Sequence, residues 1–129
     1  MLDHQKKNIY TMTCLLVLVF ILFLAKEGEG SFQCKQCLCN QDGKFLRAIC
    51  SGQQIDSIPD FGNVLNHRIF LMGLARNEVQ EVSSSDLGRF PHLKILDLRQ
   101  QTSGCVKLPQ QLPPDLKIYG RLNFCNCIF

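Results

Sequence analysis

Residues 69–77 read IFLMGLARN and residues 93–101 read LKILDLRQQ, and the second phrase lies over the first at an offset of 24 residues. Apolar residues coincide at Ile69 and Leu93, at Met72 and Leu96, and at Leu74 and Leu98; an amide coincides at Asn77 and Gln101. A chain that repeats a phrase in this way is constrained to repeat a backbone path. Side chains two apart on a strand share a face. Met72 and Leu74 are therefore expected to point into a core together, and Gly73 and Ala75 away from it. Beyond the strand the chain must turn, which leaves backbone N–H and C=O groups with no ladder partner. The short amide of Asn77 is placed to bond them; Gln101 is longer and a poorer match. Val79 and Val82 supply the next apolar positions of the first unit, and Leu87 and Phe90 those of its return.

Ahead of the repeat, Lys6 and Lys7 precede an unbroken apolar run of 12 residues at 14–25 (CLLVLVFILFLA). The polar segment KEGEG follows at 26–30, with Gly28 and Gly30 where a signal peptidase would read before Ser31. Charged, apolar, then small is the order of a secretory signal peptide. The alternative is an uncleaved membrane anchor. Twelve helical residues span about 18 Å, short of a ~30 Å hydrocarbon core. In both readings Lys6 and Lys7 keep the N-terminus cytoplasmic and leave residues 31–129 facing outward.

Those 99 residues carry 11 Lys/Arg and 8 Asp/Glu, a formal charge of +3 with no basic run. Nucleic acid is therefore not an expected partner. A layer of this size buries little core and needs staples. Cysteines at 34, 37, 39, 50, 105, 125 and 127 supply them, and in an oxidising compartment they read as disulfides. Their odd number leaves one thiol, which is free, joins two copies, or marks the chain as a truncated relative.

The repeated L-x-x-L-x-L-x-x-N phrase resembles the strand of leucine-rich-repeat proteins. CKQCLC at 34–39 with Cys50 resembles the N-terminal flanking cap of the extracellular members, and IDSIP at 55–59 stands where they have an L-x-x-I-P step. LPQQLPPDL at 108–116 is similar to a phrase of the small leucine-rich proteoglycans, and NFCNC at 123–127 to the opening of a C-terminal cap. The resemblance covers residues 34–101 well and the rest loosely. It implies an α/β-solenoid fold: one layer of mostly short parallel strands with irregular return loops and a disulfide cap at each end. It implies pairing of Cys34 with Cys39 and of Cys37 with Cys50, the second worth roughly 3 kcal/mol in the chain-entropy model. The chain departs from the family in having two clear repeats where about three are the norm, and in stopping two residues after Cys127. Cys105 is expected to pair with Cys125 or Cys127 and to pin a third strand over 116–119. The expected organisation is a signal peptide at 1–30, a cysteine-rich cap at 31–68, two repeats at 69–101, and a third strand with an abbreviated cap at 102–129.

Catalysis is not expected. No G-x-S-x-G, H-E-x-x-H or phosphate-cradling glycine loop occurs. His67 and His92 fall in loop-like sequence, and Asp56 and Asp60 in turn-like sequence where Asp bonds backbone. Zinc ligands come as two spaced pairs, unlike C-x-x-C-x-C, and CKQC lacks the strand-to-helix setting of a redox pair. No metal or cofactor is expected.

Binding is the remaining class. With Met72, Leu74, Leu96 and Leu98 inward, Leu71, Gly73, Ala75, Ile95, Asp97 and Arg99 line the open face, and Lys117, Tyr119 and Arg121 extend it. An apolar centre with a polar rim is how binding patches are built. The competing reading is an ordinary solvated face with Leu71 and Ile95 covered by the caps. The expected partner is an extracellular protein or glycan; a membrane enters only through an uncleaved anchor, and a homodimer only through the odd cysteine. Two rivals remain. One is a compact disulfide-rich effector such as a toxin, inhibitor or antimicrobial, with early cysteines bridged to late ones. The other is a disulfide-linked structural protein.

Overall fold

The computed structural model describes residues 16–18 and 30–123. The expected signal peptide, apart from those few positions, and Cys125 and Cys127 lie outside the described residues. No helix among the described residues is long and apolar enough to cross a membrane. The chain divides into two units, Met1–Gly30 and Ser31–Phe129, and the second carries the fold.

Three strands open it: β1 (Ser31–Cys34), β2 (Cys37–Asp42) and β3 (Phe45–Ile49). They pair antiparallel through two tight turns. Lys35 and Gly43 supply the positive φ, 54° and 60°, that such short reversals require. The disulfides Cys34–Cys39 and Cys37–Cys50 cross this meander, with Cα atoms 5.9 and 4.3 Å apart. The rest of the chain alternates short elements: α1 (Asn63–Asn66), β4 (Ile69–Gly73), α2 (Ser84–Gly88), β5 (Ile95–Asp97), β6 (Val106–Lys107), β7 (Lys117–Tyr119) and β8 (Leu122–Asn123). One six-stranded sheet runs β1-β2-β3-β4-β5-β7, and β6 with β8 makes a separate two-stranded sheet. From β3 onward every pairing in the large sheet is parallel. The third strand expected over 116–119 is β7.

The expected solenoid of mostly parallel strands is not what the chain forms. The sheet is mixed, and its first three strands run antiparallel. The cause lies in the turns. Two-residue reversals after Cys34 and Asp42 fold residues 31–49 back on themselves, the two disulfides staple the result, and the stretch expected as a cap over the sheet's end is the beginning of the sheet itself. Two repeat units then add only β4 and β5, too few to dominate the architecture.

Within those units the repeated phrase does repeat its path. Ile69, Met72 and Leu74 are buried, as are Leu93, Leu96 and Leu98. Arg76 and Gln100, 24 residues apart, both take φ near +60°, a left-handed kink that swings the chain off the sheet. The side chain of Asn77 fills the inside of that turn. Its Oδ1 accepts from the backbone N–H of Gln53 (2.9 Å) and Ile55 (3.0 Å). Its Nδ2 donates to the carbonyls of Cys50 (2.8 Å), Leu74 (3.0 Å) and Ala75 (3.2 Å). Gln101 does comparable work one unit on. Its Oε1 accepts from Val79 N–H (3.0 Å), and its Nε2 donates to the Leu74 and Arg99 carbonyls (2.7 and 3.3 Å). The extra methylene that made it a poor match in sequence does not prevent the turn.

On the return side, Ser83 starts α2 with a capping box. Its hydroxyl accepts from Asp86 N–H, and the Asp86 carboxylate accepts from Ser83 N–H. Phe61 and Phe90 meet edge-on at 6.4 Å beneath the sheet. Replacing Asn77 by Leu is expected to destabilise the oxidised protein by on the order of 3–5 kcal/mol, because buried backbone groups lose their partners. Gln101→Leu, with fewer such bonds, is expected to cost less. Urea denaturation without reductant measures both, and equal costs would contradict the hydrogen-bond accounting.

Candidate functional site

Register places side chains in rows across the open face of the sheet. One row reads Asn40, Arg47, Leu71, Ile95, Lys117 from β2 to β7, and the next reads Leu38, Ile49, Gly73, Asp97, Tyr119. The first row has Leu71 and Ile95 half-buried at its middle. The second presents Leu38 at 47%, Ile49 at 37% and Tyr119 at 48% exposure, high values for apolar and aromatic side chains. Gly73 leaves a gap between Ile49 and Asp97. The Ile49 Cδ1 leans into that gap, 3.5 Å from where a β-carbon would stand.

An aromatic group adjoins the rows at the start of the strands. A register shift between β3 and β4, from Leu46↔Ile69 to Arg47↔Leu71, makes Phe70 the extra residue of a bulge. Its ring meets Phe45 edge-on at 6.1 Å, and Phe45 in turn lies 5.8 Å from His92. The Arg47 guanidinium stands 5.6 Å over the Phe70 ring and the Lys44 ammonium 5.4 Å over Phe45.

Charges on the face are arranged in pairs. Arg47 bonds Asp42 at 2.8 Å. Arg99 reaches back two residues to Asp97 with two side-chain bonds, Nε to Oδ1 at 2.9 Å and an Nη to Oδ2 at 2.8 Å. The Arg99 side chain thereby holds the Asp97 carboxyl below the ordinary carboxylate range, against the opposing effect of its partial burial. The same bonds raise the Arg99 guanidinium above its ordinary value. Past the ends of β4 and β5, Ser51, Ala75, Arg76, Asp97, Arg99 and Gln100 line a hollow of about 370 Å³.

Of the residues expected on this face, Leu71, Ile95, Asp97, Lys117 and Tyr119 stand in the two rows, and Ala75 and Arg99 border the hollow. Arg121 lies beyond Gly120, outside the two rows, and its backbone carbonyl accepts from Val106 N–H (3.1 Å). Leu38, Arg47, Ile49, Phe45 and Phe70 were missed. The signal was present: in CLC at 37–39 and LRAIC at 46–50, the residues between buried ones must point outward. Reading that stretch as a cap hid the alternation. His67 and His92 are exposed, the first with its Nδ1 2.8 Å from the Asn63 carbonyl oxygen.

The four early cysteines pair as the resemblance implied, and such bonds suit an oxidising, extracellular setting. Cys105 is also disulfide-bonded; its expected partners, Cys125 and Cys127, lie outside the described residues.

Asp97 is held low in the folded chain and returns toward 3.8 on unfolding. Its pairing with Arg99 therefore stabilises the fold above that value, and the contribution is lost as pH falls through the lower folded-state value. Arg99→Gln is expected to lower the urea midpoint near pH 7, and by less as the pH falls below 3.8. A difference of the same size above and below that value would show that the ion pair is not its source.

Comparison of the chain with protein-family models, with curated proteins and with solved structures finds no match.

Proposed function

We propose that the chain is a secreted binding module that takes an extracellular protein on the open face of its sheet. The observation that carries this reading is a pair of apolar couples in adjacent rows of the open face, exposed Leu38 with Ile49 and half-buried Leu71 with Ile95. Phe45 and Phe70 extend it, and Arg47, the Asp97–Arg99 pair, Lys117 and Tyr119 surround it. Clustered exposed apolar groups inside a polar rim are the composition of a recognition surface. Aromatic and arginine side chains are the ones that most often dominate binding energy.

Secretion belongs to the same proposal, with residues 1–30 as its signal. The relationship to extracellular leucine-rich-repeat proteins belongs to it too. The pairing of Cys34 with Cys39 and Cys37 with Cys50 is the one that relationship implies. It also weighs against the compact knotted effector, which needs early cysteines bridged to late ones.

Expression of the full chain in a secreting cell line is expected to release protein whose N-terminal sequence starts at Ser31. Retention of all of the protein in the cell membrane would count against secretion. Partner capture from extracellular matrix extract is expected to be lost in the double variant Leu71→Asp, Ile95→Asp. Its disulfide map and melting behaviour should stay close to those of the parent. Undiminished capture by a correctly folded double variant would remove the open face from consideration.

A further inference from the structure

The hollow past β4 and β5 holds two guanidiniums whose positions are set before anything binds. Arg76 donates from Nε to Gln100 Oε1 at 3.0 Å, and Arg99 is held by Asp97 through Nε and one Nη. The two turns are joined by the bond from Arg76 N–H to the Arg99 carbonyl, 3.0 Å. Among the described residues, nothing engages either Nη of Arg76 or the second Nη of Arg99. Two guanidiniums against the single carboxylate of Asp97 leave one positive charge in surplus. Ser51 and Ala75, both small, keep the space in front of them open. Fixed guanidiniums lose little side-chain freedom on binding, and their paired N–H groups match the two oxygens of a carboxylate.

We propose that this hollow is the subsite for one carboxylate of the protein partner, an Asp or Glu side chain presented beside the apolar rows. The subsite rests on the open face being the binding surface. A protein acid fits better than a sulfated glycan. The glycan carries a train of charges and calls for a string of cations, whereas the neighbours of this hollow in the sheet rows are Ile49 and Gly73. Asp97 at its wall also resists a densely anionic chain.

The test follows the Nε–H resonances of Arg76 and Arg99 in the oxidised full chain during titration with N-acetylglutamate whose α-carboxyl is blocked as the methylamide, which leaves the side-chain carboxylate as its one acid. Saturable shifts at both are expected, with none from N-acetylglutamine blocked in the same way. Arg76→Gln is expected to weaken the response about tenfold, the scale of one charged hydrogen bond. Lys107→Gln, on β6, is expected to leave it unchanged. Equal responses to the two amino acids, or indifference to Arg76→Gln, would overturn the subsite. So would shifts produced by a heparin disaccharide and not by the blocked glutamate, which would assign the hollow to a glycan. A protein that captures its partner through Leu71 and Ile95 yet ignores the blocked glutamate loses the subsite alone. A carboxylate response without such capture removes the face instead.

Discussion

Asn77 stands at the end of β4 with its side chain out of reach of water and makes five hydrogen bonds, all to backbone. They join three stretches of chain: the exit from β3 at Cys50, the loop at Gln53 and Ile55, and the exit from β4 itself. A sheet strand satisfies its own polar groups through its neighbours, but the residue that leaves the sheet cannot. One buried amide therefore decides where the return loop begins and at what height it passes under the strands. Ile55 and Ile58 reach the core only because that loop is held close. Gln101 does the same for Val79. The chain has no large core to spare, so the satisfied turns contribute a larger share of its order than they would in a bigger domain.

The disulfides act on the other half of the sheet. They tie β1 to β2 and β2 to the end of β3, where a meander this short has little apolar area to hold it. The cysteines occupy the inward positions that Leu and Met fill in β4 and β5: Cys37, Cys39 and Cys50 are buried. Their neighbours Leu38 and Ile49 are turned outward by the same alternation. The bonds that close the core thus also build the first part of the open face, and β4 and β5 continue it in register. Close packing fixes the far edge as well. A β-carbon at Gly120 would sit 2.7 Å from the Leu98 carbonyl oxygen, so the chain leaving β7 can lie tightly against the β5 turn only with glycine there.

Much of this was legible from spacing alone. The offset between the phrases at 69–77 and 93–101 identified the inward residues of β4 and β5 and the amide that closes each turn, because side-chain direction on a strand is a purely local property. It also placed Leu71, Ile95 and Asp97 on the outward side. The role of Gln101 was underestimated, since whether a longer side chain reaches three backbone groups depends on the distance between turns, which no single segment contains.

The amino-acid sequence by itself determined the period of the chain, the two faces of each strand and the cysteines available for staples, all consequences of local geometry and composition. Tertiary structure decided how those parts met. It decided that residues 31–50 begin the sheet and run antiparallel, because two-residue turns join β1 to β2 and β2 to β3 and can connect only antiparallel strands. It brought Leu38 and Ile49 beside Leu71 and Ile95, and it set Arg76 and Arg99 around one hollow. Such neighbourhoods are made by register between strands, and register is fixed only when every strand competes for the same core.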